Sequence, residues 1–255
     1  MTAGRKTVRL SPRLESIAGL VTPGNRLADI GTDHAYLPIW LCQQERIPSA
    51  IAADLRPGPL KAAAANIRLA GMDGRIQTRL SDGLSHFRED EADTLTIAGM
   101  GGKLICRILG QRPELLRQFH EILLQPQSEV GDVRRFLLQN AYGIVEETCT
   151  EDEGKFYPVI RAVPLEVCQE VPDRSDSGGQ EGSGGQPTEE ELAFGPCLLK
   201  NKDPLLKNWL AGRLNRTRSI LDDLQSREGS SAVQRYDELK KEEQLLRTAL
   251  AYYEM

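Results

Sequence analysis

Arg26–Pro38 reads RLADIGTDHAYLP. A short apolar run, Leu27-Ala28-Asp29-Ile30, ends in Gly31. The polar turn Thr32-Asp33-His34 follows, and Ala35-Tyr36-Leu37 opens the next segment. This is the form of a first strand feeding a ligand loop in a doubly wound α/β fold, which binds its ligands outside the carboxyl ends of the strands. A dinucleotide loop would read G-x-G-x-x-G, so that backbone can approach a pyrophosphate. Counted from Gly31, the second glycine position holds Asp33 and the third Tyr36. A carboxylate there repels phosphate and suits a ligand with positive charge at its reactive end.

Outward from this stretch, strand-like and helix-like segments alternate. The expected strands are Leu27–Ile30, Ser49–Asp54, Ile76–Asp82, Thr94–Gly99 and Glu121–Pro126, with Gly143–Cys149 and Phe156–Val163 as a closing hairpin. Helices are expected at Pro38–Gln43, Pro59–Leu69 (stopped by Gly71), Lys103–Leu109 and Val133–Asn140. The alternation predicts a mostly parallel seven-stranded sheet with right-handed crossovers and an antiparallel edge. Ser175–Pro187, SDSGGQEGSGGQP, cannot bury apolar area and reads as a linker. Beyond it, Leu206, Leu210, Leu214, Thr217, Leu221 and Leu224 recur every three or four residues. Ala232 through Tyr253 repeat the pattern after a break at Ser226–Ser231. This predicts an antiparallel coiled-coil hairpin. Its role is either contact with RNA or dimerisation and support. The expected domains are 1–172, a linker at 173–190, and 191–255.

Composition narrows the function classes. The chain has 255 residues, 40% hydrophobic, with net charge −5, so the overall balance does not advertise a nucleic-acid binder. The distribution does more. Asp173–Glu191 holds six acids and one arginine, enough to account for the whole net charge. Lys200–Arg218 holds six bases against Asp203, and Arg5, Lys6, Arg9 and Arg13 begin the chain with no acid among them. Arg5, Arg9, Arg13, Lys207, Arg213, Arg216 and Arg218 are therefore candidates for holding a phosphate backbone. Five scattered cysteines form no C-x-x-C pair, and three histidines show no ligand spacing, so neither disulfides nor a metal is expected. No apolar run approaches a membrane span and no signal-peptide core opens the chain. A cytoplasmic protein with reduced thiols is expected. The oligomeric state stays open, with a monomer favoured.

Three strand-end features suit S-adenosylmethionine, which carries a sulfonium and an α-ammonium. The loop Gly31–Ala35, with Asp33 in it, would hold the methionine end, helix-start N–H groups meeting the carboxylate. Asp54 ends the second strand 23 residues after Gly31, where an acid accepts from ribose hydroxyls. Asp82, followed by Gly83, ends the third strand and can accept from the adenine amino group. At the fourth strand end, Ala98-Gly99-Met100-Gly101-Gly102 lies where the transferred group meets its acceptor, and Met100 can pack on an adenine ring.

ADIGTDHAYLP, AADLRPGPL, SDGL, TIAGMGG and LLQP, together with the opening LSPRLE, resemble the bacterial tRNA (adenine-22-N1)-methyltransferase family. So do ELAFGPCLL, Glu191–Leu199, and the helical end. The match covers most of Leu10–Val163. The Ser175–Pro187 stretch departs from it, being longer and richer in glycine. The resemblance implies a Rossmann-like catalytic domain, a C-terminal coiled-coil domain, S-adenosylmethionine as cofactor, and methylation of N1 of an adenine in tRNA. The candidate cofactor residues are then Asp29, Gly31, Thr32, Asp33, Ala35, Asp54, Leu55, Ser81, Asp82, Gly83, Ala98 and Gly99.

The candidate catalytic residues are Asp33, His34, Tyr36 and Met100. Neutral N1 attacks without prior deprotonation, so the chemistry asks mainly for positioning and for a carboxylate near the developing cation. Asp33 is the first candidate for that carboxylate. Asp29 is the second, with a bracing role inside the strand as its competing reading. His34 and Tyr36 would orient or stack the base. Three alternatives stand beside this: a methyltransferase for another RNA, a protein or a small molecule; a nicotinamide oxidoreductase, disfavoured by Asp33 and Tyr36; and a noncatalytic RNA-binding protein, disfavoured by Asp54 and Asp82.

Overall fold

Seven short strands interleaved with helices build a single sheet in the computed structural model, which describes residues 7–168, 187–225 and 230–254. The strands are β1 Leu27–Ile30, β2 Ala50–Asp54, β3 Ile76–Leu80, β4 Thr94–Gly101, β5 Glu121–Ser128, β6 Tyr142–Asp152 and β7 Lys155–Pro164. Their order is β3-β2-β1-β4-β5-β7-β6. From β3 to β5 every neighbouring pair is parallel, whereas β5–β7 and β7–β6 are antiparallel. The sheet is therefore mixed, with four parallel pairings and two antiparallel ones at one edge. The cause lies in the β6–β7 connection. Asp152 pairs with Lys155 across Glu153-Gly154, both at positive φ. A two-residue turn of that kind admits only an antiparallel return.

Strand polarity alternation assigns side chains to two core layers. Ala28 and Ile30 of β1 and Leu95 and Ile97 of β4 face one layer with Leu84, Ile105 and Leu109. Leu27 joins the other with Ile39, Leu41, Ala52 and Leu123. On that second face Thr94 and Thr96 of β4 are fully buried. The amino-terminal ends of the strands are stitched by polar contacts. Glu121, 1% exposed, accepts from Thr22 N (2.9 Å), Thr22 Oγ1 (2.8 Å), Thr94 Oγ1 (2.7 Å) and Arg161 Nε (2.9 Å). Arg26 closes a two-point pair with Asp93 at 2.7 and 2.9 Å. That hydrogen-bonded guanidinium lowers the Asp93 carboxyl below its ordinary pKa.

Two features depart from expectation. The helix Pro12–Leu20 was not anticipated, although Ser11-Pro12 with Glu15 in the first turn is a helix-start pattern. The third strand stops at Leu80, before Asp82. Ser81 Oγ donates to Gly83 O at 2.8 Å and accepts from His86 N at 3.2 Å, forming a side-chain-bonded turn that ends the strand.

Cα packing separates two units, Met1–Pro172 and Asp173–Met255. Most of the expected linker lies outside the described residues. Its last part is helical: Thr188 caps Glu189–Phe194 in a capping box, exchanging bonds with Glu191 at 2.9 and 3.3 Å. In the same unit the helices Pro204–Gln225 and Ser230–Ala251 pack along Leu206, Leu210, Leu214, Leu221, Leu239 and Leu246. Contacts at the two ends show that they run in opposite directions: Lys207 meets Tyr253, just past the second helix, and Gln225 meets Tyr236, with Arg213–Glu242 and Arg218–Glu243 between them.

Arg134 of the helix Val130–Gln139 and Glu147 of β6 form a buried ion pair, Nε to Oε1 2.8 Å, with side chains 1% and 0% exposed. Removing one partner strands the other charge. Glu147→Ala should therefore cost about 3–5 kcal/mol, and the apolar pair Arg134→Met with Glu147→Leu should recover most of it. Urea unfolding checks this; a single variant within about 1 kcal/mol of the parent, well short of that range, would show the pair to be dispensable.

Candidate active site

The strand order reverses between β1 and β4, so the crevice at their carboxyl ends is where an α/β sheet of this kind takes a ligand. A cleft of about 410 Å³ opens there, lined by Arg9, Ser11, Arg13, Leu14, Asp29, Gly31, Thr32, Asp33, His34, Tyr36, Leu37 and Ala98. The loop is held in one shape by its backbone. Gly31 N and Thr32 N both donate to Ala53 O, at 2.8 and 3.0 Å, and Ala35 N to Thr32 O at 2.9 Å. Asp33 and Ala35 take left-handed φ values of 50° and 58°, and Gly31 one of 75°. Such angles in non-glycine residues are strain held at a site by its surroundings. A Cβ on Gly31 would collide with the terminal methyl of Met100, so Met100 lies directly against the loop.

The charges in the cleft are arranged in depth. Asp29 is buried at its floor, 5% exposed, and accepts from Thr96 Oγ1 at 2.7 Å. Burial raises its pKa above the ordinary carboxyl value. The Thr32 and Thr96 hydroxyls oppose that shift, and of the two only Thr96 reaches hydrogen-bond geometry. Thr32 Oγ1 is left as a buried polar atom with no partner among the described residues. Asp33 stands at the rim, 64% exposed, 3.6 Å from His34 Nε2. The His34 and Tyr36 rings stack at 5.3 Å with 19° between their planes, and Asn66 Nδ2 fixes the His34 carbonyl at 3.1 Å. The residues expected to meet the base are thus brought together, except that Met100 packs on the loop outside the cleft wall.

The other expected cofactor residues flank the cleft without lining it. Asp54 is 7% exposed at the end of β2; its Oδ1 accepts from Arg56 N at 2.8 Å, and Oδ2 has no protein partner among the described residues. Leu55 beside it is 59% exposed. Asp82 projects to solvent, 4.0 Å from Arg107, next to buried Ser81 and Gly83. Ala35 is fully buried, and Gly99 lies under Arg13. Arg5 lies outside the described residues. Arg9 and Arg13 sit on the cleft wall itself rather than on a distant surface. In the second unit, Arg213 and Arg218 are engaged by Glu242 (2.6 Å) and Glu243 (3.1 Å), while Lys207 caps the Tyr253 ring. Arg216 is exposed, with no ion pair among the described residues. Of the four candidate cations on this helix, two are therefore paired with acids of the neighbouring helix. Among the described residues no three His, Cys, Asp or Glu side chains converge as a metal site, and no helix is long and apolar enough to cross a membrane.

Gln125 and Tyr157 are absent from the expected site. Gln125 is fully buried and grips Arg13 from β5, and Arg13 lies over the Tyr157 ring. A glutamine within the apolar run EILLQP is the one signal that announced such a contact.

A sheet switching at β1/β4, with an acid-bearing loop in place of a phosphate-binding one, defines a Rossmann-like methyltransferase, and residues 10–160 match the methyltransferase-domain family. The chain is 32% identical over 246 residues to the tRNA (adenine(22)-N(1))-methyltransferase of Bacillus subtilis (strain 168), covering 95% of this chain and 98% of that one. The crystal structure of the B. subtilis m1A22 tRNA methyltransferase TrmK superposes with a TM-score of 0.78 at 29% identity, covering 95% and 99% of the two chains. M. capricolum TrmK, solved with S-adenosyl-homocysteine, gives 0.75 at 26% identity, covering 95% and 98%. This chain belongs to the tRNA (adenine(22)-N(1))-methyltransferase family.

The raised Asp29 pKa has a consequence for stability. A carboxyl whose pKa rises on folding favours the native state below its unfolded pKa and loses that contribution as pH climbs through the native one. Asp29→Asn should therefore match the parent near pH 4 and melt higher than it at pH 7–8. Thermal melts across that range test the point; a variant less stable at neutral pH would mean that the ionised carboxyl is itself a structural contact.

Proposed function

We propose that this chain transfers the methyl group of S-adenosylmethionine to N1 of an adenine in tRNA, the position-22 base of its family. The observation that carries the reading is the cleft at the β1/β4 switch point. A buried acid, a rim acid beside stacked rings, and two arginines line it together. The site fits the cofactor: the unpartnered Thr32 hydroxyl and the open Asp54 oxygen are acceptors awaiting a polar ligand. When bound, the cofactor supplies an electrophilic methyl on a sulfonium.

Asp54 would accept from both ribose hydroxyls, with Leu55 against the adenine face. The turn Ser81-Asp82-Gly83 would meet the adenine edge. Gly31, Thr32, Ala35, Ala98 and Gly99 would shape the floor beneath the methionine end. The N–H groups of Gly31, Thr32 and Ala35 already have carbonyl partners, so the loop contributes shape and charge more than free donors. Neutral N1 needs no base, and the product ring is cationic. Asp33 at the rim would stabilise that charge, with Asp29 as the deeper field, while His34 and Tyr36 hold the ring plane and Met100 backs the loop. The target base has to leave its stack to enter such a cleft. The second unit, as an antiparallel coiled-coil hairpin, would present Lys207 and Arg216 to the backbone, with Arg213 and Arg218 available once their glutamates are outcompeted. We read the division as 1–172, 173–190 and 191–255, and the protein as a cytoplasmic monomer. Nucleoside mass analysis of total tRNA after incubation with the cofactor tests the function; 1-methyladenosine is the expected product, and its absence with active protein would overturn the reading.

Two variants test the roles. Asp54→Ala should weaken cofactor binding by about 1.5–3 kcal/mol, the scale of a charge-assisted contact; an unchanged calorimetric affinity would remove Asp54 from the site. Asp33→Ala should reduce turnover at saturating cofactor and tRNA while leaving the melting temperature near the parent's, because an exposed acid contributes little to folding. Normal turnover would exclude it from charge stabilisation.

A further inference from the structure

Arg13 is held in the active-site cleft by three different strands. Its carbonyl accepts from Gln125 Nε2 at 3.0 Å, and its guanidinium donates to Gln125 Oε1 at 3.4 Å. The same guanidinium lies 5.7 Å from the centre of the Tyr157 ring on β7 and closes over Gly99 of β4, where an added Cβ would stand 2.7 Å from it. No acid neutralises it among the described residues, and most of its N–H donors are unused. A planar guanidinium fixed in place, with its fork open, is matched to a phosphate.

Topology says which phosphate. β2 and β3, with Asp54 and the Ser81–Gly83 turn, lie on one side of β1; β4, β5 and β7 lie on the other. The cofactor's nucleoside belongs to the first side, so Arg13 belongs to the side from which the acceptor enters. Its contacts are with β4, β5 and β7, whereas Asp33 belongs to the loop that leaves β1, so the cation and the rim acid are carried by different elements of the cleft. We propose that Arg13, positioned by Gln125, grips the phosphate of the target adenosine and holds its base in the cleft. The inference rests on the tRNA reading above and adds to it a residue of the acceptor site, with Gln125 as a positioning residue.

The test compares parent, Arg13→Gln, Arg13→Lys and Gln125→Glu, each checked for an intact melt. It reads cofactor affinity by calorimetry, tRNA affinity at two salt concentrations, and KM and kcat for an unmodified transcript. Arg13→Gln should raise the KM and Kd for tRNA roughly ten- to a hundredfold. The dependence of log affinity on log salt should become shallower by about 0.7–0.9, the equivalent of one phosphate. Cofactor affinity should stay within about twofold. Arg13→Lys should recover part of the tRNA affinity, as charge without the fork. Gln125→Glu should act in the direction of Arg13→Gln by neutralising the guanidinium. Unchanged tRNA KM, Kd and salt slope in Arg13→Gln would overturn the inference alone. A loss confined to cofactor affinity would also overturn it, because the arginine would then serve the cofactor's carboxylate. A parent that neither binds nor methylates tRNA would remove the functional reading and the inference together.

Discussion

The carboxyl of Asp29, buried between β1 and β4 and bonded to Thr96, is the constraint on which the site depends. It joins the two strands at the point where the sheet changes direction, one residue before the chain leaves β1. With Asp29 and Ile30 fixed, Gly31 has to turn at positive φ, and Asp33 and Ala35 follow in left-handed conformations. That path sends the Asp33 side chain to the rim and starts the helix Tyr36–Gln43 with Tyr36 stacked on His34. A carboxyl in such a place is costly to ionise, and burial raises its pKa accordingly.

Stability is supplied elsewhere. The edge formed by the amino-terminal ends of β1, β4 and β5 and the carboxyl-terminal half of β7 is tied by Glu121, Thr22, Thr94, Arg161, Arg26 and Asp93 in bonds of ordinary length. The opposite edge leaves a hydroxyl, a carboxylate oxygen and a guanidinium incompletely bonded. Saturated polar groups at one end and unsaturated ones at the other are what a binding scaffold requires: rigidity away from the ligand and bonding capacity towards it.

Local patterns were legible and long-range partners were not. The first strand could be read from an apolar run bounded by Gly31, and the buried leucines of the two long helices from their three-and-four spacing. The run Ile76–Asp82 reads as one strand ending in an acid, whereas the turn held by the Ser81 hydroxyl ends β3 at Leu80, two residues sooner. Arg213 and Arg218 read as a free basic face because their glutamates lie 29 and 25 residues away. Arg13 read as a candidate for holding a phosphate, but its place on the cleft wall was hidden because Gln125 is 112 residues distant. No spacing rule reaches that far. A polar residue inside an apolar run, as at Gln125 and Glu121, marks that a partner exists without saying which one.

The hairpin β6–β7 closes the sheet on the side where Tyr157 meets Arg13 of the cleft. Because β7 runs antiparallel to β5, Tyr157 enters from near the start of its strand, close to the tight Glu153-Gly154 turn. Parallel strands reach this crevice through crossover loops that can lengthen freely, but a two-residue turn has no slack. Insertions there would slide the tyrosine along the sheet or flip it to the other face. The contact between Tyr157 and Arg13 is therefore tied to the strand register of the hairpin, which leaves the loops of the parallel half as the part of the cleft free to change length.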